Sequence, residues 1–266
     1  MTTLDGALRI VPRVRTPRSW RLVERNIASS RGAWLVFVSG FFEPLFYLLA
    51  LGVGVGALVG TVDLGGQTVT YREFVAPALL AASAMNGAVY ESGNVFFKLK
   101  YARTYDGVLA TPMTVRDVAV GELTYTLIRG AVYAIGFVTV MLALGLLDSP
   151  WAVLAVPGSL LVSAAFAAPS VYGAAFMRSW ADFAFVELCT LPMFLFSATF
   201  VPADEYPAAA RWILPLTPLY HGVEMLRALT LGDVTWLLAV NVAYLVVMAG
   251  VFFVLADRRL AKLLLR

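Results

Sequence analysis

Apolar runs of membrane-spanning length alternate along this chain with short polar segments, falling at 33–59, 74–90, 118–147, 152–177, 184–201 and 234–256. A hydrocarbon core about 30 Å thick takes roughly 20 mostly apolar residues per helical crossing. Lipid offers no partner to backbone N–H or C=O, so such runs must close their own hydrogen bonds as helices. The pattern predicts an all-α, polytopic membrane protein with six transmembrane helices. Segment 1–32 precedes a membrane domain over 33–256, and a short tail, 257–266, follows it. The external links 60–73 and 148–150 are too short to hold a domain.

Three polar segments carry pattern of their own. Ahead of the first run, Thr16 suits a helix cap and Pro17 a first helical position, which predicts a helix to about Arg31. At helical spacing Arg18, Arg21 and Arg25 share one face, opposite Trp20, Val23 and Ile27. Such an amphipathic helix lies on the inner leaflet, arginines at the headgroups. A cleavable signal peptide fits less well, because the apolar run starts after 32 residues and exceeds an ordinary signal core. The 92–117 loop combines aromatic and basic residues with a short apolar turn limited by Pro112, predicting a compact helical knob at the membrane surface. Segment 202–233 holds apolar pieces too short to cross, which suit short external helices before the last span.

Composition excludes a soluble fold: 60% of residues are hydrophobic, 14% are charged, and mean hydropathy is +0.80, leaving too little charge for a solvated shell. The single cysteine, Cys189, rules out an intrachain disulfide framework and is expected to pack inertly in a span. Charge placement sets orientation, since cytoplasmic flanks retain Lys and Arg. Of 20 such residues, sixteen lie before the first run, in 92–117, at Arg178 or in the tail. The alternate segments hold only Arg72, Arg211 and Arg227, with Arg129 remaining. Both termini are therefore expected in the cytoplasm.

The first span reads Glu43-Pro44-Leu-Phe-Tyr-Leu-Leu-Ala-Leu-Gly52-Val-Gly54-Val-Gly56, the second holds Met85-Asn86 and Tyr90-Glu91, and the knob runs Tyr105–Met113. Before the last span stands Pro215-Leu-Thr-Pro218-Leu-Tyr-His-Gly-Val-Glu224-Met-Leu-Arg227. In order and spacing, from about residue 17 to the tail, these resemble ABC-2-type transporter permeases, particularly the nodulation-factor and daunorubicin-resistance branch. The resemblance implies a bacterial plasma-membrane exporter in which two permease subunits, here a homodimer, pair with two cytoplasmic ATPase subunits. Its implied cargo is an amphiphile: a drug, a lipid or a lipid-linked saccharide. The chain lacks a G-x-x-x-x-G-K-[ST] loop, so ATP and Mg²⁺ would bind the partner ATPase and no cofactor would bind here. The knob would then be the coupling element, with Tyr105, Asp106, Leu109, Ala110, Thr111 and Pro112 as contacts. A plain loop helix seated on lipid headgroups is its other reading. Lipid is an expected partner and nucleic acid is not.

Ionisable residues inside apolar runs cost roughly 2.5–3.5 kcal/mol at the bilayer centre, so each needs a reason. Glu43 sits near mid-depth beside Pro44, as a path-lining acid, a hydrogen-bonded structural acid or a protonated bystander. Asn86, Glu91 and Glu187 complete the set of candidate polar path residues; Glu91, Glu187 and Arg129, near the inner interface, also suit anchors or ion-pair partners. Gly52, Gly56 and Gly60 form a small-residue ridge on the first span, a packing face within the chain or across the dimer. The lone His221 cannot build a histidine-rich metal centre and reads as structural or interfacial. A membrane-embedded enzyme would need clustered acids, a nucleophile–base pair or metal ligands, and none is legible. An ion-gradient-driven transporter would show inverted repeats with interrupted helices, and no internal repeat is visible.

Overall fold

The computed structural model describes residues 17–30, 42, 44–64 and 66–265. Glu43 and the Thr16 cap lie outside the described residues. The main elements are α1 (Arg18–Ser30), α2 (Pro44–Val59), a hairpin of β1 (Thr61–Leu64) and β2 (Gln67–Thr70), α3 (Tyr71–Lys100), α4 (Thr104–Leu109), α5 (Val115–Ala143), α6 (Ala155–Ala174), α7 (Phe183–Leu195), α8 (Pro218–Leu231) and α9 (Trp236–Leu264).

The helix starts follow from side-chain capping. Thr70 accepts from the Glu73 N–H while Glu73 accepts from the Thr70 N–H, and Thr114 and Asp117 repeat the arrangement at α5. Helix α5 ends about one turn earlier than its apolar run would allow, at Ala143. Gly145 adopts φ +67° there, and the Leu146 N–H bonds back to the Met141 carbonyl, closing the end. Within α2 the backbone widens to a π-helix over Ala50–Val55. The Arg72 Nε–H donates to the Gly52 carbonyl at 2.9 Å in this stretch, and a Cβ at Gly52 would stand 3.2 Å from Arg72 Cγ. Gly52 and Gly56 thus face the start of α3 in the same chain. Gly60 is not part of that ridge. Its φ of +72° turns the chain out of α2 into the hairpin, with open space where a Cβ would stand.

The hairpin corrects the plain external link expected over 60–73. Val62 pairs with Val69 and both point inward, while Thr61, Asp63, Thr68 and Thr70 face outward, the alternation of a half-buried ribbon. It is a small addition to an otherwise helical fold. Central to the bundle is α3, packed along α5, α6 and α8. Val115–Ala143, Pro150–Ala174 and Trp236–Leu264 are long and apolar enough to cross a membrane. Tyr71–Lys100 exceeds that length too, at about 1.5 Å per residue, though it carries charge near both ends. The run at 184–201 is different. Its regular helix is the 13-residue α7, about 20 Å long with Pro192 inside, after which Ser197, Ala198 and Thr199 turn back into the protein.

The molecule has two chemically distinct ends. One gathers the hairpin and the segment after α7, joined by Tyr71 donating to the Phe200 carbonyl at 3.3 Å. The other packs Leu22, Phe96, Tyr105, Met177 and Leu260 into one cluster, uniting α1, the knob and the end of α9. The described residues of all four Lys/Arg-rich segments fall at this second end. Exposed tryptophans rim both ends, Trp20 and Trp180 at one and Trp151, Trp212 and Trp236 at the other, as at two membrane interfaces. In the basic tail α9 continues for two turns, with Leu260 buried and Arg259 stacked 4.1 Å over the Phe176 ring.

Helix α1 docks rather than merely floats. Leu22, Val23 and Asn26 are buried against α5, Arg18, Arg21 and Arg25 face out, and Trp20 and Ile27 remain exposed. The crossing is possible because residue 121 is glycine: a Cβ there would lie 2.9 Å from Leu22 Cδ2 and 3.0 Å from the Ser19 carbonyl. Gly121→Leu should therefore displace α1 and lower stability by about 1–3 kcal/mol, the usual cost of overpacking. Gly250→Leu, which meets open space, should leave stability close to wild type. Thermal unfolding with tryptic cleavage at Arg21 and Arg25 reads both effects; equal behaviour of the two variants would show that the α1 crossing is not tight.

Candidate functional site

Two polar centres lie along the α3–α5 seam. At the basic end, Glu122 is 1% exposed yet fully partnered. Lys98 Nζ donates to its Oε2 at 2.7 Å, Asn26 Nδ2 donates to the same oxygen at 3.0 Å, and the Tyr105 hydroxyl donates to Oε1 at 3.1 Å. Lys98 also donates to Asn26 Oδ1 at 3.1 Å and lies 5.8 Å from the Tyr125 ring centroid. One carboxylate thereby ties together α1, α3, α4 and α5. Burial, and then the adjacent Glu122 charge, push the Tyr105 phenol well above the ordinary tyrosine range, so it remains a proton donor.

That geometry sorts the knob residues. Tyr105 points inward and is the anchor of α4, not a surface contact. Asp106, Ala110, Thr111 and Pro112 are exposed on the opposite side, with Leu109 half-buried between. The alternation of inward and outward positions makes α4 a peg with one face locked and the other presented.

Further along the same seam, Glu91 on α3 pairs with Arg129 on α5 at 2.5 Å. Asn94 Nδ2 donates to the second Glu91 oxygen at 2.9 Å, and Arg129 Nε donates to the Tyr133 hydroxyl at 3.1 Å. Glu91 and Lys98 are seven residues apart on α3, as are Glu122 and Arg129 on antiparallel α5, so the two ion pairs are rungs two turns apart. Beside the second rung opens a cavity of about 790 Å³. Its walls come from α2 (Pro44, Tyr47), α3 (Asn86, Tyr90), α5 (Arg129, Tyr133) and α7 (Glu187, Phe194). Of the candidate path residues, Asn86 and Glu187 line it directly and Glu91 stands behind Arg129.

Other singled-out residues sit elsewhere. His221 is buried in α8, its ring nitrogens 2.7 Å from Asn241 Oδ1 and 2.9 Å from the Pro215 carbonyl, stacked on Tyr244 at 4.0 Å. This is a structural role at the hairpin end. Cys189 is exposed on α7 instead of packed. Among the described residues no cluster of His, Cys, Asp and Glu has the make-up of a metal site. Glu122 is a carboxylate inside an apolar run, a signal as open to question as Glu91, whereas nothing in the spacing of Lys98 and Asn26 marks them as its partners.

The first rung makes a quantitative expectation. Removing one member of a buried ion pair strands the other and costs about 3–5 kcal/mol, whereas replacing both by apolar groups is far less harmful. Lys98→Met and Glu122→Leu should each lower thermal stability strongly, and the double variant should recover much of the loss. Additive losses in a double-mutant cycle would mean that the pair is not energetically coupled.

Residues 18–231 match the ABC-2 type transporter family. The chain is 29% identical over 250 residues to Nodulation protein J of Rhizobium leguminosarum bv. viciae, covering 93% of this chain and 94% of that protein. It is 30% identical to Nodulation protein J of R. leguminosarum bv. trifolii, at 93% coverage of both chains. With that of Neorhizobium galegae the identity is 31%, over 83% of this chain and 85% of the relative.

Proposed function

The chain belongs to the ABC-2 type transporter family, and from that premise we propose that it exports an amphiphile through the cavity between α2, α3, α5 and α7. It is the membrane permease subunit of an ABC exporter, a family that works with an ABC ATPase. The cavity is the observation that carries the proposal. At about 790 Å³ it has the size of a small-molecule site, and its wall combines apolar and aromatic surface with a few polar groups. That is the lining an amphiphile requires.

The working assembly contains two copies of this permease and two of the ATPase, which binds ATP and Mg²⁺; the permease carries no cofactor and contacts no nucleic acid. The exposed residues of the knob, Asp106 on α4 and Ala110, Thr111 and Pro112 just after it, seat in the ATPase, and Leu109 packs at their edge. Force on that peg reaches α3 and α5 through Tyr105 and Glu122, a route supported by the hydrogen bond between them. The basic end faces the cytoplasm of a bacterial plasma membrane, putting both termini inside and the arginine face of α1 against inner-leaflet headgroups. The Lys/Arg asymmetry supports that orientation.

Gly87 provides the test of the path. It lines the cavity, and an added Cβ would meet nothing within 4 Å, so Gly87→Phe is placed to occupy the cavity. The variant should assemble and retain its thermal stability while export falls by about tenfold or more, the effect of losing at least 1.4 kcal/mol of binding. Undiminished export by a folded Gly87→Phe transporter would remove the cavity from the path.

Orientation and coupling share a second test. Single cysteines in a Cys189→Ser background should be labelled from outside the cell at Gln67 and Glu205, both exposed, and not at Ala110 or Lys262. Position 105 is unsuitable because it is buried on either side of the membrane. The Ala110 cysteine should in addition cross-link to the ATPase. External labelling at Ala110 would reverse the topology, and failure to cross-link in an assembled transporter would move the ATPase contact elsewhere.

A further inference from the structure

Resting on the reading of the α2/α3/α5/α7 cavity as the path, we propose that its preferred cargo bears a protonated amine, seated against the Glu187 carboxylate. Arg129, the cation of the wall, is held by Glu91 at 2.5 Å and also donates to Tyr133. Asn94 spends an amide proton on Glu91, and the Thr190 hydroxyl donates to the Val186 carbonyl at 3.0 Å. These donors are engaged within the protein, and Asn86 and Ser83, which also line the cavity, are neutral and supply no charge.

Glu187 is the opposite case. It lines the cavity and is exposed, and although its backbone carbonyl accepts from the Thr190 hydroxyl at 3.4 Å, its carboxylate makes no hydrogen bond or ion pair among the described residues. With Arg129 balanced by Glu91, the carboxylate is the charge left over among the described residues of the wall. An ammonium group supplies what is missing, a positive charge and several N–H donors directed at an acceptor. Two aromatic side chains of the wall add to the preference: Tyr47 and Phe194 meet edge-on at 6.3 Å. Their ring faces attract cations. An anionic head would meet Glu187 with like charge and find the wall's cation already paired. A neutral amide head would forgo the charge match. Leu79, Ala82 and Leu191 take the apolar portion of the cargo.

The test uses the full chain in nanodiscs of phosphatidylcholine, a lipid without net charge, with partitioning into empty discs subtracted. Three dansyl-labelled alkyl probes of equal chain length differ only in the head: primary ammonium, N-acetylated amide, or sulfate. The ammonium probe should bind about tenfold tighter than the amide, as for one charge-assisted contact, and the sulfate weakest. Glu187→Gln should erase the ammonium preference and Glu187→Asp should restore most of it, which a misfolded variant would not do. Equal binding of ammonium and amide by the wild-type chain, or an undiminished preference in Glu187→Gln, would overturn the proposal. Gly87→Phe separates the two ideas. If it weakens every probe while ammonium and amide bind alike, the path stands and the charge preference fails. If it weakens none, or no probe binds the wild-type chain, the cavity itself is not the binding site and both readings fall.

Discussion

A charged group inside an apolar protein must be met by an opposite charge and by hydrogen bonds, and the α3–α5 seam is built to satisfy that requirement twice. Glu122 takes donors from Lys98, Asn26 and Tyr105, and Glu91 takes them from Arg129 and Asn94. Because the helices run antiparallel, each presents one acid and one base, in opposite order. Sliding α3 by two turns would set Glu91 against Glu122 or Lys98 against Arg129, exchanging attraction for repulsion. Apolar packing alone tolerates neighbouring registers; this ladder of charges does not. It fixes where the knob, α1 and the cavity stand relative to one another.

The hairpin end uses a different device for the same purpose. Arg227 of α8 is 5% exposed, donates to the Ala198 carbonyl at 2.8 Å, pairs with Glu224 at 2.5 Å and lies 4.1 Å over the Phe74 ring. Ala198 adopts φ +55°, a left-handed conformation costly for a residue with a Cβ. The guanidinium holds that turn in place, and with it the point where the chain leaves short α7 and folds back. His221 pins α8 to α9 nearby through Asn241, so the segment between the last two long apolar runs becomes a packed cap.

How much of this was legible in the sequence depends on the length scale of the signal. Long apolar runs, the helical spacing of Arg18, Arg21 and Arg25, and the turn set by Pro112 are repeated or local patterns, and they located the helices and the knob. The hairpin was legible too, in the alternation of Thr61–Leu64 and Gln67–Thr70 around Gly65 and Gly66, but a membrane reading favours helices and treats a short link as mere connection. Gly60 shows the limit of spacing arguments: it continues the Gly52, Gly56 interval, yet serves a turn. Pairings such as Lys98 with Glu122 join residues distant in sequence and leave no periodic trace. For the same reason Tyr105 looked like a surface contact. Helical phase could place it opposite Asp106, but only the buried acid on α5 explains why it faces inward.

Transport asks these pieces to act together, and their arrangement determines how. The exposed side of α4 is separated from Glu122 by a single side chain, Tyr105, and Glu122 is separated from the cavity by two turns of α5 that end at Arg129. Both rungs lie on the same two helices, so a displacement of the knob is not absorbed by bending one side chain. It either moves α3 and α5 as a unit or breaks a buried ion pair. The first course is much the less costly. The cavity wall contributed by Asn86, Tyr90, Arg129 and Tyr133 then shifts against α2 and α7, which are not stapled to the ladder and which carry Tyr47, Phe194 and Glu187. A site divided between that pair and two other helices changes shape when the pair moves. On the proposed reading of the cavity as the path, that division lets a push delivered at the basic end alter the grip on a cargo deeper in the membrane.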